Sequence, residues 1–284
     1  MGSSPFYAIL NVAAFVVNIV VVAGSNGGWF GKDNAEVSEL YPTLVTPDNY
    51  AFAIWGLIFA TEAIFTIWQA LPANWGKPVV TEGIVGWFAA ANFLQVAWTF
   101  AFAQEQLELS AALLLAIAIS LAAAVIRLAS FKRDGLTILS LQYWVAHFPI
   151  ALHGGWTLAA SLVNINVALF DSSISAKLTA LLLTLVGAAL AAVFASTVFR
   201  DQVYLLAIAW AIAAVESKKD YREATLDPNT AQGINDALQG LWIALIVVAV
   251  GSVVAQRAMK RPPGAKDSSG DTEPGINPIT GTAM

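Results

Sequence analysis

The chain has 284 residues, is 58% hydrophobic and carries only 12% charged residues. Its mean hydropathy is +0.68, and a soluble domain carries roughly 25% charge, so the composition reads as an all-α, polytopic integral membrane protein. The formal net charge of -5 is spread over loops and tails and offers no nucleic-acid surface, and Cys 0 excludes disulfides, thiol nucleophiles and cysteine-held iron–sulfur or haem centres.

Met1 to Pro5 lack the basic flank of a signal peptide, so no cleavable leader is expected. Phe6 stands where a myristoylation motif starting at Gly2 wants Ser or Thr. Eight apolar segments follow. They are Phe6–Ala23, Tyr50–Ala70, Gly83–Ala103, Leu109–Ala129, Thr137–Ala168, Ala176–Phe199, Gln202–Val215 and Leu238–Gln256. About 20 apolar residues suffice to cross a bilayer. The longest connection between them, Gly24–Asp48, carries Trp29, Phe30 and several acids and ends at the turn-forming Pro47.

With eight spans, both termini share a side with the second, fourth and sixth connections. That side collects Lys77, Arg127, Lys132, Arg133, Arg200, Arg257, Lys260, Arg261 and Lys266. The opposite side holds Lys32, Lys177, Lys218, Lys219 and Arg222. The excess predicts both termini in the cytosol and the Gly24–Asp48 loop outside.

In the second segment Trp55, Glu62 and Gln69 recur every seven residues, a helical stripe that takes in Phe59 and Thr66. Glu62 is the acid nearest the middle of any predicted span, and a carboxylate there needs a partner. Two roles stay open for it: a hydrogen bond between helices, or the handling of a ligand or proton. In the third segment Asn92, Gln95 and Thr99 share a face with Trp98 nearby, and Asn92 reads as interhelical glue.

The fifth segment puts Pro149, His153, Trp156, Ala160 and Asn164 in one stripe. Polar groups facing hydrocarbon cost several kcal/mol each, so this stripe is expected to face other helices and line a site. His147 and His153 are turned by about 240° on a regular helix and do not chelate one metal, and no acidic cluster supplies further ligands. No Lys lies in the interior of a span to anchor a retinal Schiff base (Lys177 stands at an end), and no Walker, dinucleotide or nucleophile-elbow motif appears. Trp29, Trp75, Trp87 and Trp242 fit an interfacial belt. Trp55, Trp98 and Trp156 sit on helices that also carry polar groups, where they either pack as core or hold a flat apolar ligand.

These motifs resemble the tryptophan-rich sensory protein family, also called the translocator protein or peripheral benzodiazepine receptor family. Its second helix commonly opens Pro-Pro-x-Trp-x-Phe-Gly-Pro-x-Trp, of which Pro47 and Trp55 match while Thr46, Asn49 and Ala53 depart. A longer branch looks like Thr-Pro-x-x-Tyr-x-Phe-x-Ile-Trp, and Thr46, Pro47, Tyr50, Phe52, Ile54 and Trp55 are similar to it throughout. Gln95, Trp98 and Thr99 stand at the family's Asn-x-x-Trp-Ser. Trp156, Ala160 and Asn164 match its fifth-helix motif, with Leu152 and His153 in place of Pro and Tyr.

The resemblance implies a five-span bundle over residues 1–170, with a ligand pocket between helices closed by the first long loop. Residues 171–260 are then three additional spans, and 261–284 a polar tail rich in Pro and Gly that is expected to be disordered. The function it implies is binding, and sensing or moving, a flat hydrophobic ligand of the porphyrin (tetrapyrrole) or sterol class. Trp55, Trp98 and Trp156 would stack on it, Ala160 would line the pocket, and Gln95, His153 and Asn164 would supply hydrogen bonds. Two alternatives remain: a transporter in which Glu62 couples a proton to substrate movement, and a structural membrane subunit. Neither a required cofactor nor a metal is expected. The partners are the lipid bilayer and a hydrophobic small molecule, and the oligomeric state, a homodimer included, stays open.

Overall fold

The computed structural model describes residues 5–131, 140–199 and 201–259; side chains are described up to residue 254. The described residues are helical, with no strand among them. Ten α-helices follow in order: α1 Phe6–Asn26, α2 Asn34–Leu40, α3 Ile54–Ala70, α4 Trp87–Ala103, α5 Leu107–Phe131, α6 Phe148–Ala168, α7 Ile174–Phe194, α8 Gln202–Ser217, α9 Asp220–Thr225 and α10 Pro228–Met259. The protein is an all-α polytopic membrane bundle. Hydrocarbon leaves a spanning backbone no outside partner, and a helix satisfies its own.

By length and composition, five of these elements are able to cross a bilayer: Phe6–Asn26, Asn49–Ala70, Leu107–Phe131, Ile174–Phe199 and Pro228–Val254. Trp87–Ala103 and Gln202–Ser217 are shorter apolar helices. Each apolar segment of the sequence thus has its helix. The last of them begins at Pro228 rather than Leu238. Asp227 starts it, accepting from the Thr230 backbone N–H at 3.1 Å. The Thr230 side chain first, and then that backbone bond, hold the Asp227 carboxyl below the usual range. The tail after 260, and the charges at 132, 133, 200, 260, 261 and 266 used for orientation, lie outside the described residues.

Burial separates inner from outer helices. Only 17% of the span window of α10 and 22% of that of α7 is buried. Their outward Leu182, Leu183, Val186, Leu190, Val247 and Val250 are exposed, as suits a surface solvated by lipid. In contrast, α6 and α8 are buried along most of their length. They approach closely because Gly154 and Gly155 carry no Cβ. One added at Gly155 would lie 2.5 Å from the Tyr204 carbonyl oxygen and 2.8 Å from Ala207 Cβ.

The first loop is braced within itself and fastened to the helices around it. Asp33 and Glu36 form a capping box at the start of α2, with both backbone–carboxylate bonds at 2.8 Å. Lys32 Nζ and the Tyr41 hydroxyl both donate to Glu105 at 2.5 Å, tying the loop to the turn between α4 and α5. Further on, the Asp48 N–H donates to Ala214 O at 2.9 Å and the Trp210 indole donates to Ala51 O at 3.1 Å, which fixes the entry of α3 against α8.

Arg222 on α9 completes the fastening. It is 1% exposed and donates to Leu44 O, Val215 O, Glu216 O and the Asn235 side chain. A cation on the terminal carbonyls of α8 is where the helix dipole favours positive charge. Burial pulls the Arg222 pKa down, and the negative charges of Glu216 and Glu223 act the other way.

Candidate functional site

Between α3, α4, α5, α6 and α8 lies a cavity with about 610 Å³ of empty space, its mouth included. Trp55 and Phe52 reach it from the start of α3, Trp98 and Phe102 from α4, and Trp156, Ala160 and Asn164 from α6. Ser38 of α2 and Pro47 roof it, and Ala211 of α8 supplies part of the wall. The stripe on the fifth segment therefore does face neighbouring helices, and the first loop does cover the space between them.

The three tryptophans form a right-angled arrangement. Trp55 lies 6.5 Å from Trp98 at 32°, and 6.1 Å from Trp156 at 87°. Trp98 stacks on Phe102 at 5.2 Å, and Phe52 meets Trp156 edge-on. Trp98 and Trp156 are 5% and 3% exposed, yet the indole N–H of each has no acceptor among the described residues. Since indole nitrogen is a donor only, each carries an unmet demand for an acceptor.

A second lobe of about 590 Å³ shares Phe52, Trp55 and Trp98 with the first. Gln95 and Thr99 line it, together with Ser25, Asn26, Asp33 and Asn34, so it is the more polar of the two. Gln95 is partly committed already. The Asn18 side-chain N–H₂ donates to Gln95 Oε1 at 2.9 Å and to Asn92 Oδ1 at 2.8 Å, and Asn92 donates back to Phe88 O. Asn92 is thus the interhelical link that its position predicted. Asn164 is similarly engaged, accepting from the Ser110 hydroxyl at 2.8 Å.

His153 is the exception among the predicted lining residues: it lines neither lobe. Its Nδ1 lies 2.6 Å from Glu62 Oε1, and both side chains are fully buried. The ring meets Trp55 edge-on at 5.5 Å, so the pair sits directly behind a cavity tryptophan. Glu62 thus finds its partner on α6, 91 positions away in sequence. Glu62 Oε2 and His153 Nε2 have no partner among the described residues.

His147 is held elsewhere. It lies in a π-helical turn, Tyr143–His147, stacked on Tyr143, and its Nε2 contacts Asp201, the residue that caps α8. The two histidines therefore serve different carboxylates. Trp242 packs partly buried against the core, with its indole nitrogen buried. Trp29, 70% exposed, keeps a position suited to a belt.

Several residues of this region escaped the sequence reading. Asn11 and Asn18, seven apart in the first segment, share one helical face, and that spacing was the available signal. Asn11 donates to Gln69 Oε1 at 3.0 Å, alongside the Asn18 network. Gly154 and Gly155, Asp201, Ala211 and Arg222 carried no motif.

The chain is thus an all-helical membrane bundle with a tryptophan-lined cavity bordered by its first loop. The family model of the TSPO-like proteins matches residues 8–255, and the chain belongs to that family. The match runs from α1 into α10. No curated protein and no solved structure matches the chain significantly.

Proposed function

We propose that this protein binds a flat hydrophobic ligand, of the tetrapyrrole or sterol class, in the cavity between α3, α4 and α6, and senses or moves it. The observation that carries this reading is the set of three tryptophans around one empty space. Aromatic faces hold a planar ligand by stacking, and small-molecule sites are mostly apolar and aromatic with a few polar groups.

The test is a titration of purified protein with a porphyrin, followed by tryptophan quenching. Trp156→Ala removes a stacking surface worth about 1–3 kcal/mol, a roughly fivefold to hundredfold loss of affinity. Trp87→Phe, at the exposed start of α4, should leave binding unchanged. Equal affinities in both variants and the parent would remove the cavity assignment.

A second reading, proton-coupled movement of the ligand, is favoured by one observation: the buried Glu62–His153 pair lies edge-on to Trp55. A titratable pair inside a bundle is a common feature of proton relays. We also propose that both termini are cytosolic, on the Lys and Arg bias of the connections. Tags at the two ends should then be protected from impermeant reagents in intact cells, while a tag near Glu36 is accessible. Termini on opposite sides would require an odd number of spans.

A further inference from the structure

Resting on the ligand-binding reading above, we propose that the ligand passes between lipid and cavity sideways, through a second apolar chamber walled by the spans after residue 170. This chamber lies between α6, α7, α8 and α10 and has about 360 Å³ of empty space, its mouth included. Val163 of α6 and Ala211 of α8 line both it and the tryptophan cavity, so two small side chains stand between the two spaces. Toward the outer helices it is walled by Thr184, Leu185 and Ala188 of α7 and by Leu238 of α10.

The chemistry of this route suits a hydrophobic solute. Thr184 is the one polar side chain among the described lining residues, and its hydroxyl is already spent, donating to Ala180 O and accepting from Asn166, each at 2.8 Å. The chamber also adjoins lipid, because Leu182, Leu183 and Val186 of α7, beside Thr184 and Leu185, are exposed. A solute crossing here stays against apolar surface throughout, whereas a path under the loop exposes it to water.

The two boundaries of the cavity also differ in how firmly they are held. The buried residues of α7 are Ala180, Leu181, Ala188 and Ala192, so mostly methyl groups key it into the bundle. Among the described residues, Asn166 to Thr184 is its side-chain hydrogen bond to α6, and Lys177 in its first turn reaches the Tyr221 hydroxyl at 3.1 Å. The loop side is tied down by Lys32 and Tyr41 on Glu105, by Asp48 on Ala214 O and by the buried Arg222 on Leu44 O. Elements with few buried apolar contacts open at the lowest cost. The helix that yields is therefore α7, while the loop stays shut.

The experiment uses the full chain in phosphatidylcholine nanodiscs. Association of protoporphyrin IX is followed by tryptophan quenching in stopped flow, and dissociation by transfer to an excess of empty vesicles. Leu185→Phe and Ala188→Leu fill the chamber at positions that do not line the tryptophan cavity. A barrier along a passage leaves both end states as they were, so each variant should slow association and dissociation alike, by about tenfold, with Kd unchanged. Thr184→Val keeps the shape but removes the bond to Asn166, and should speed both rates roughly twofold to fivefold. Glu105→Gln, which loosens the loop, should leave both rates at those of the parent. Parent rates in both filling variants, or faster exchange in Glu105→Gln, overturn the side passage, and the cavity reading survives if Trp156→Ala still weakens binding. Should a filling variant fail to fold, unchanged rates in Thr184→Val overturn the passage equally. A filling variant that weakens Kd without slowing both rates would make the chamber part of the binding site and not a passage. If Trp156→Ala leaves Kd unchanged, the cavity reading itself falls.

Discussion

Replacing one member of the Glu62–His153 pair should be far more damaging than replacing both. The two side chains are fully buried and 2.6 Å apart, so neither has water to fall back on. Breaking a buried pair of this kind costs about 3–5 kcal/mol, because the survivor is left as an unmatched polar or charged group. Glu62→Leu, which roughly preserves volume, should therefore shift the folding equilibrium by about two to three and a half orders of magnitude. His153→Leu should do the same. The double variant, with neither group left to satisfy, is expected within about 1–2 kcal/mol of the parent, giving a coupling energy of at least about 4 kcal/mol. Glu62→Gln keeps an acceptor opposite His153 Nδ1 and should cost only about 1 kcal/mol. Denaturation midpoints of all four variants in the same mild detergent measure the cycle. Additive single and double effects would refute the claim that the pair acts as a unit. The Gln variant also separates the two roles left open for Glu62: loss of any pH dependence of ligand binding or transport, with the fold intact, would mark a proton function.

Two further expectations concern the loop and the helix contact. Hydrogen bonds from Lys32 and then Tyr41 hold the Glu105 carboxyl below its ordinary value of 4.5, so its contribution to the closed loop is present above that value and lost as pH falls through the lowered one. The Tyr41 hydroxyl is raised above 10.0, chiefly by its bond to Glu105, so its share is complete below 10.0 and fades as pH rises through the higher value. Proteolysis of the Gly24–Asp48 loop should accordingly be slowest between these limits, and Glu105→Gln should remove the acid-side change. Unaltered acid sensitivity in that variant would show that the latch lies elsewhere. Gly155→Ala should destabilise by about 1–3 kcal/mol, since the new methyl meets a backbone oxygen that cannot rotate away. A thermal midpoint equal to that of the parent would mean that α6 and α8 are free to separate.

Composition and periodicity were enough to determine that this chain is a helical membrane bundle, which segments are its helices, and which face of each carries the polar and aromatic groups. Trp55, Trp98 and Trp156 stood out because a tryptophan beside polar groups within a span is unlike one at a span end. Glu62 stood out because an isolated carboxylate in hydrocarbon demands a partner. The identity of that partner was decided only by tertiary structure. A helical period fixes the angle of a side chain around its own axis and carries no information about the depth or rotation of the next helix. Those are set by packing, above all by the approach that Gly155 permits between α6 and α8. Packing brought His153 to Glu62, His147 to Asp201 and Asn18 to both Asn92 and Gln95. It also decided the fate of residues with no periodic signal. Arg222 looked like a loop charge and is in fact a buried clamp, because several carbonyls from the first loop and α8 converge where only a folded chain can gather them.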